Sequence, residues 1–449
     1  MVALIDGEHY FPVIQAALEE IERDALYHLV AAVFLGGTEK VTEQPDFSFF
    51  KIPIVTEPDP VAGILKAIRD YQPELVIDLS DEPVVGYKQR FDFACQILKF
   101  NVSYLGSDFR FDPPIFLDIV QKPSMSIIGT GKRTGKTAVS AYICRELKKA
   151  GRNPCVVAMG RGGPPEPEVL DGAAIKMTPE YLLEASRLGK HAASDHYEDA
   201  MMSRITTIGC RRCGGGMAGK PYISNVPAGA RIANNLEEEL IIFEGSGAAF
   251  PSVKTDGMAV VIGAGQPEEY ILGYFGPYRL FLSDLAILTM CEEPMADQAK
   301  ISKLSAGIKE INPEIRVVQT IFRPRPLEDI SGRRVFFATT APPSVGGLIK
   351  TYLEEKFDCK VTGISHNLSN RPRLRKDIQE KEGQFDLLLT ELKAASVDVV
   401  TMIGLDWGVQ VVYADNIPVT VGGDGDLKDL LLDLAEKAIS RFRDAKRPN

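Results

Sequence analysis

Several features that would assign this chain to a class are missing. No apolar run approaches the ~18 residues a bilayer crossing needs, and the start, MVALIDGEHY, lacks a basic stretch followed by a long apolar one. Neither a membrane span nor a signal peptide is expected, and the start reads instead as a first strand. No basic tract occurs, and 51 Lys and Arg against 61 Asp and Glu give a net charge of −10. That balance argues against a general nucleic-acid surface. It leaves room for an anionic substrate, because a few cations in a cleft outweigh the global charge locally. The seven cysteines, Cys95, Cys144, Cys155, Cys210, Cys213, Cys291 and Cys359, are odd in number and scattered. They read as reduced thiols of a cytoplasmic protein, not as a disulfide framework. Internal repeats and low-complexity tracts are also missing.

What remains is a globular composition, 45% hydrophobic and 25% charged over 449 residues. At ~150 residues per domain this suggests two or three domains with real cores. Strand and helix patterns alternate from the start. Strands are expected at 3–5, 30–34, 52–55, 75–79 and 102–105, and helices at 13–21, 59–71 and 87–100. Such alternation implies a parallel sheet flanked by helices. The proline-bearing stretch 111–114 is the best boundary. A second series begins with a strand at 125–128, a helix at 137–150 and a strand at 155–158. An irregular, Gly-rich stretch is expected over 160–227. Further strands follow at 240–243, 259–262, 286–290, 317–320, 335–338, 360–364, 399–402 and 410–413. A helix at 427–441 precedes a charged end, 441–449, that is expected to fray.

The strongest motif is SIIGTGKRTGKTAVS. A strand enters the run Gly129, Thr130, Gly131, Lys132, Arg133, Thr134, Gly135, and Lys136-Thr137 opens a helix. Glycines let backbone amides curl around phosphate, and the helix start adds free N–H groups and a positive dipole end. Lys136 can reach terminal phosphates, and the Thr137 hydroxyl can bind Mg²⁺. The helix is expected to bury Val139, Tyr142, Ile143 and Leu147. The standard spacing wants Gly at 130, where Thr130 stands, and an extra lysine, Lys132, sits inside the loop. This resembles the variant loop of SIMIBI-class P-loop proteins, in which the extra lysine often acts across a dimer interface. An apolar strand ending at Glu244-Gly245-Ser246-Gly247 supplies a carboxylate at a strand's carboxyl end, the ligand side of an open α/β sheet. Glu244 is therefore the candidate second metal ligand beside Thr137, with Asp284 a weaker one. The run VIGAG at 261–265 lacks the third glycine of a dinucleotide fingerprint and is read as a decoy.

A second cluster reads GCRRCGGGMAGK. Arg211 and Arg212 lie between Cys210 and Cys213, followed by Gly214, Gly215, Gly216 and Lys220. Paired guanidiniums on a pliable loop suit phosphates or carboxylates. A single C-x-x-C without a second pair is weak for zinc. Arg161, in a Gly-rich turn after a strand, is a further substrate candidate, and Glu166, Glu168 and Asp171 are nearby acids. Lys190, His191, His196 and Arg204 could add positive charge. Asp6, Glu8 and His9 leave the first strand at a plausible ligand edge.

Taken together, LIDGEHY, SIIGTGKRTGKTAVS, AMGRGGPPEPEVLDG, GCRRCGGGMAGKP, EGSGAAFPSVKTD and FRPRPLEDISGRRVFFATTAPP resemble the cyclic 2,3-diphosphoglycerate synthetases of thermophilic methanogenic archaea, from Leu4 to about Val421. The run FDLLLTELKAASVD is also loosely similar to tetraacyldisaccharide kinases. The fold expected is α/β, an N-terminal Rossmann-like parallel-sheet domain (1–118) followed by a larger SIMIBI-type P-loop NTPase domain (119–449). The latter divides into nucleotide and substrate loops (119–321) and a C-terminal α/β portion (322–449). The resemblance implies a cytoplasmic, ATP-dependent ligase closing 2,3-bisphosphoglycerate with release of ADP and phosphate. It implies ATP and Mg²⁺ as cofactors and potassium as a further cation; the variant phosphate loop suggests a homodimer, and the charge balance and hydropathy suggest no nucleic-acid or membrane partner. Lys132 and Lys136 would serve the transferred phosphoryl group. Arg161, Arg211, Arg212, Lys220 and Gly214–Gly216 would hold the substrate, with Asp6, Glu8 and His9 shaping the site.

Overall fold

The computed structural model describes residues 1–37, 39–40 and 46–446. They form two compact units. One comprises Met1–Pro114 with 267–282 and 310–312, and the other comprises 115–266, 283–309 and 313–449.

The first unit is built on a six-stranded sheet. Its strands are β1 (Val2–Ile5), β2 (Ala31–Phe34), β3 (Ile54–Thr56), β4 (Leu75–Asp78), β5 (Ser103–Leu105) and β6 (Arg110–Phe111), in the order β3-β2-β1-β4-β5-β6. All pairs are parallel except β5 with β6, an antiparallel edge. Helices α1 (Phe11–Arg23), α2 (Pro60–Tyr71) and α3 (Tyr87–Leu98) connect them. Proline at the first turn of α1 and α2 starts each helix where an N–H would be spare anyway. The Asp59 side chain caps α2 by accepting from the Ala62 N–H. Asp6, at the end of β1, is fully buried. Its carboxylate accepts from the N–H groups of Glu8 and Asp81, at 3.1 and 2.6 Å, and meets His9 Nδ1 at 2.8 Å. These bonds tie the β1 and β4 loops together.

The second unit holds a 13-stranded sheet. Its strands are β7 (Ser124–Gly129), β8 (Pro154–Gly160), β9 (Glu168–Asp171), β10 (Thr206–Cys213), β11 (Ile223–Ser224), β12 (Leu240–Glu244), β13 (Gly257–Gly263), β14 (Leu285–Thr289), β15 (Arg316–Pro326), β16 (Arg334–Ala338), β17 (Lys360–Ser365), β18 (Leu387–Glu391) and β19 (Gln410–Gly423). The order is β11-β10-β8-β12-β7-β13-β14-β15-β19-β18-β16-β17, with β9 beside β10. The long strands β15 and β19 pair antiparallel and join two halves that are parallel except where β9 and β11 flank β10. Helix α4 (Lys136–Lys149) follows β7 and buries Val139, Ile143 and Leu147. Each is worth ~1.5–3 kcal/mol relative to exposure. Tyr142 is only partly buried, against expectation. Gly151, at φ +79°, closes the turn after α4 in the left-handed region.

Three expectations are corrected. The stretch 160–227 is largely regular, with β9, β10, β11 and the helices α5 (Pro179–Arg187) and α6 (Asp195–Ser203), and α7 (Val226–Asn234) begins at its end. Residues 399–402 are not a strand. Ser396–Thr401 form a π-helix that runs into the helix Met402–Trp407. The run Val397, Val399, Val400, Thr401 has strand propensity, but packing against Leu374, Ile378 and Leu388 overrides it. The strand of this region is β18, which the sequence reading passes over. Finally, the C-terminal helix continues from Leu427 to Ala445, and only 447–449 of the expected frayed end lie outside the described residues.

Candidate functional site

β7 delivers the phosphate loop to the carboxyl edge of the second sheet, and α4 leaves it. Gly129 leaves the path that Lys136 takes over the loop, since a Cβ there would sit 2.9 Å from Lys136 Cδ and 3.0 Å from its Nζ and the lysine would have to move. The ammonium of Lys136 donates to the Gly131 carbonyl at 2.8 Å and is thereby held over the loop. Burial lowers its pKa to about 8, against the opposing pull of Glu244 and Asp195. Thr130, at the position where the standard motif has glycine, continues the line of β7. Its N–H donates to the Val261 carbonyl, and its hydroxyl to Gln266 Oε1. The run at 261–265 thus braces the phosphate loop. Arg133 adopts a left-handed φ of +62° and reaches Ser369 Oγ at 3.3 Å. The Thr134 carbonyl accepts from the Thr289 hydroxyl at 2.8 Å.

Thr137, in the first turn of α4, donates its hydroxyl to Glu244 Oε1 at 2.6 Å. Glu244 ends β12, the strand next to β7, and is buried. Its Oε2 has no hydrogen-bond partner. Burial, then the charge of Asp195, raises its pKa to about 8. On α6, Asp199 is fully buried and no N–H or other donor group meets its oxygens. Its carboxyl lies against that of Glu244, and burial, then the charge of Glu244 and a hydrogen bond shared with it, raise it well above the usual carboxylate range. An unpaired buried carboxylate is costly unless a proton or a cation meets it. The donor set of one hydroxyl and one carboxylate with a spare oxygen fits a hard cation such as Mg²⁺.

Gly247, at φ +63°, lies against two guanidiniums. A Cβ there would be 2.6 Å from Arg161 Nη2 and 3.1 Å from Arg212 Nη2. Arg212 also donates to the Ser246 carbonyl at 2.8 Å and to the Gly214 carbonyl at 2.8 Å. Burial, then Arg161, holds its pKa below the usual range. Like charges gathered this way beside the phosphate loop favour an anion between them. A cavity of about 850 Å³ connects Lys132, Lys136 and Thr137 with Arg161 and Glu244.

The glycine-rich cluster is not one loop. Arg211 and Arg212 lie on β10, and neighbouring strand residues face opposite sides. Arg212 turns to Ser246, whereas Arg211 is exposed and its N–H is held by Asn225 Oδ1. Gly214, Gly215, Gly216 and Lys220 form the exposed turn between β10 and β11. The two thiols part in the same way. Cys210 is buried against Gly229, with its thiol pushed up to about 12, while Cys213 is exposed.

Other candidates have structural partners. Asp284 sits at the opposite, amino end of β14, paired with Lys437 and Arg441. Glu168 pairs with Lys190 and His196. Asp171 accepts from the N–H groups of Ala173 and Ala174, and Arg204 donates to the carbonyls of Ala173 and Ile175. Asp6, Glu8 and His9 belong to the first unit. The sequence reading missed Asp195, Glu198 and Asp199 on α6, and Glu391 and Lys393 at the end of β18. A usable signal existed for the last pair, since FDLLLTE, like LIIFE, is an apolar run ending in an acid.

Among the described residues no helix is long and apolar enough to cross a membrane. Three family models match in series. They are the N-terminal domain of cyclic 2,3-diphosphoglycerate synthetase over residues 1–112, its P-loop domain over 124–321 and its C-terminal domain over 326–417. The cyclic 2,3-diphosphoglycerate synthetase of Methanothermus fervidus is 51% identical, covering 99% of this chain and 98% of its own. Those of Methanothermobacter thermautotrophicus and Rubrobacter xylanophilus are each 49% identical, covering 100% and 94% of this chain and 98% and 95% of their own. A phosphate loop, a metal-competent carboxylate and Arg161 line one cavity, with Arg212 behind Gly247 at its wall, in a chain that matches these proteins end to end, and it belongs to the cyclic 2,3-diphosphoglycerate synthetase family.

Proposed function

We propose that this chain is an ATP-dependent ligase that closes 2,3-bisphosphoglycerate into cyclic 2,3-diphosphoglycerate, releasing ADP and phosphate. The observation that carries this reading is that the phosphate loop, Arg161 and Gly247 line one cavity, with Arg212 packed against Gly247 beside Arg161. An acceptor that is itself a polyanion needs cations beyond those that hold ATP.

The substrate's nucleophile is a phosphate oxygen, already anionic, so no strong general base is required. It attacks the γ-phosphorus of ATP in line, and ADP leaves. The second substrate phosphate then attacks the inner phosphorus of the new group, forming the ring phosphoanhydride and expelling inorganic phosphate. The barrier is chiefly repulsion between anions, and fixed cations lower it. Lys136 meets the transferred phosphoryl group from the loop. Lys132, exposed beside Gly131, serves the same group, across the interface of a homodimer. Arg161 and Arg212 hold one end of the substrate, with Arg211, Lys220 and Gly214–Gly216 on the adjoining hairpin as outer contacts. Thr137 and Glu244 would hold Mg²⁺, which when bound would supply charge neutralisation for the phosphates. Potassium balances the remaining charge in a cytoplasmic enzyme. The P-loop half is read as SIMIBI type and the first unit as Rossmann-like.

Release of ADP from MgATP tests this reading. It should rise at least tenfold on adding 2,3-bisphosphoglycerate and should not respond to simple carboxylates. Equal stimulation by a carboxylate would favour a carboxylate-activating ligase instead.

A further inference from the structure

The cavity does not end at the phosphate loop. It extends to Thr340, Ser369, Arg371, Glu391, Lys393 and Asn416, all from the C-terminal half of the second sheet. That half has its own topological switch point. From β16 the chain passes to β17 on one side, then returns to β18 on the other. In an open α/β sheet the crevice outside the carboxyl ends of such diverging strands is where ligands bind. Thr340 lies just beyond β16, and Glu391 ends β18. The Thr340 N–H and hydroxyl both donate to Glu391 Oε2, at 3.0 and 2.7 Å, which fixes the mouth of the crevice.

Two cations stand at this mouth. Lys393 lies two residues past β18 and three before the first residue of the π-helix. The Ser396 hydroxyl donates to the Lys393 carbonyl at 2.5 Å and accepts from its N–H at 2.8 Å, so the lysine backbone is pinned. A π-helix at such a point commonly marks a functional site. The Lys393 ammonium pairs with Glu198 of α6 at 2.8 Å. Burial opposes its charge, but Glu198, then Glu391 and Asp195, outweigh that and hold it charged, with a pKa raised to about 12. Arg371 opens the helix Arg371–Gln379 and pairs with Asp398 of the π-helix at 2.6 Å. Both ion pairs border the cavity and can exchange a carboxylate for a phosphate.

Sheet order brings these cations from the other end of the sheet, with Lys393 reaching Glu198 on α6. Arg161 and Arg212 follow or belong to β8 and β10 on one flank of β7, while Lys393 and Arg371 come from the flank beyond β15 and β19. We propose that Lys393 and Arg371 form a second anion subsite, which receives the end of the bisphosphate opposite the Arg161 and Arg212 pair. This rests on the reading of the substrate as a bisphosphate. The C-terminal half then sets substrate specificity by demanding a second phosphate.

The test is calorimetric titration of the full-length protein with 2,3-bisphosphoglycerate, 3-phosphoglycerate and MgADP. Wild type should prefer the bisphosphate to the monophosphate by tenfold or more. Lys393→Ala and Arg371→Ala should each reduce that preference by roughly tenfold, the size of one charge-assisted hydrogen bond. MgADP affinity should stay within about threefold, and Lys393→Arg should recover most of the preference. A merely structural ion pair would lower melting temperature without changing the ratio of the two glycerates. An unchanged ratio in both alanine variants overturns the subsite. If Lys393→Ala does not fold, Arg371→Ala and Lys393→Arg still decide. A wild type with no preference for the bisphosphate defeats the substrate reading itself, and the subsite with it.

Discussion

The phosphate loop and the hairpin around Arg211–Lys220 looked alike as sequence, each a run of glycines and cations, yet they fold differently. In the loop nearly every residue type is tied to a geometric demand. Gly129 makes room for Lys136, the Gly131 carbonyl receives its ammonium and Thr137 meets Glu244. In the hairpin, β10 separates Arg211 from Arg212 and Cys210 from Cys213. A motif whose spacing is set by a ligand keeps its meaning across folds. A cluster known by composition alone takes its meaning from the element that carries it, and strand alternation divides it.

Removing the Lys136 charge should sharpen the contrast most. Lys136→Ala is expected to lower turnover by about 10²-fold or more, as for other transition-state charge donors, with the fold retained by circular dichroism. Turnover near wild type would remove the loop from the chemistry. Glu244→Gln comes next. It keeps shape and the Thr137 bond but loses the anion, so activity should fall about tenfold or more and the Mg²⁺ titration should shift to higher concentration. Its melting temperature should hardly move, because a buried carboxylate with a pKa near 8 is already costly to ionise. An unchanged Mg²⁺ titration would leave Glu244 a turn residue.

The hairpin can be broken apart residue by residue. Arg212→Ala should weaken bisphosphate affinity roughly tenfold, whereas Arg211→Ala should change it severalfold at most, and ATP affinity should be little affected by either. Equal losses would restore the picture of a paired loop. The smallest effect expected is on acid stability. His196, then Lys190, holds the Glu168 carboxyl down to about 2, below its ordinary value of 4.5. A depressed folded pKa gives stability that is present above about pH 4.5 and is lost as pH falls toward 2. Glu168→Gln should therefore narrow the difference in melting temperature between pH 6 and pH 3. An identical pH profile in wild type and variant would show that these contacts carry no net stability.

Much of the architecture was legible because both units alternate apolar strands with amphipathic helices, and the phosphate loop was read residue by residue. The rest failed for physical reasons. Residues 160–227 looked irregular because Gly, Pro and charged residues mask short elements, such as α6, whose burial depends on partners far along the chain. Val399 and Val400 look like strand by propensity, which packing on Leu374 and Ile378 overrides. Glu391 and Lys393 were passed over because FDLLLTELK carries no glycine-rich turn to advertise a ligand edge. Its position at a switch point exists only in the sheet order.

Phosphorus NMR of the purified protein with MgATP and 2,3-bisphosphoglycerate tests the central claim most directly. The account predicts that the two phosphomonoester resonances of the substrate are replaced by a coupled pair in the phosphoanhydride region, in step with equimolar ADP and inorganic phosphate. Lys136→Ala should leave the spectrum almost unchanged over the same interval. ADP and phosphate appearing while both substrate resonances persist would contradict it, as would a phosphorylated product that never closes.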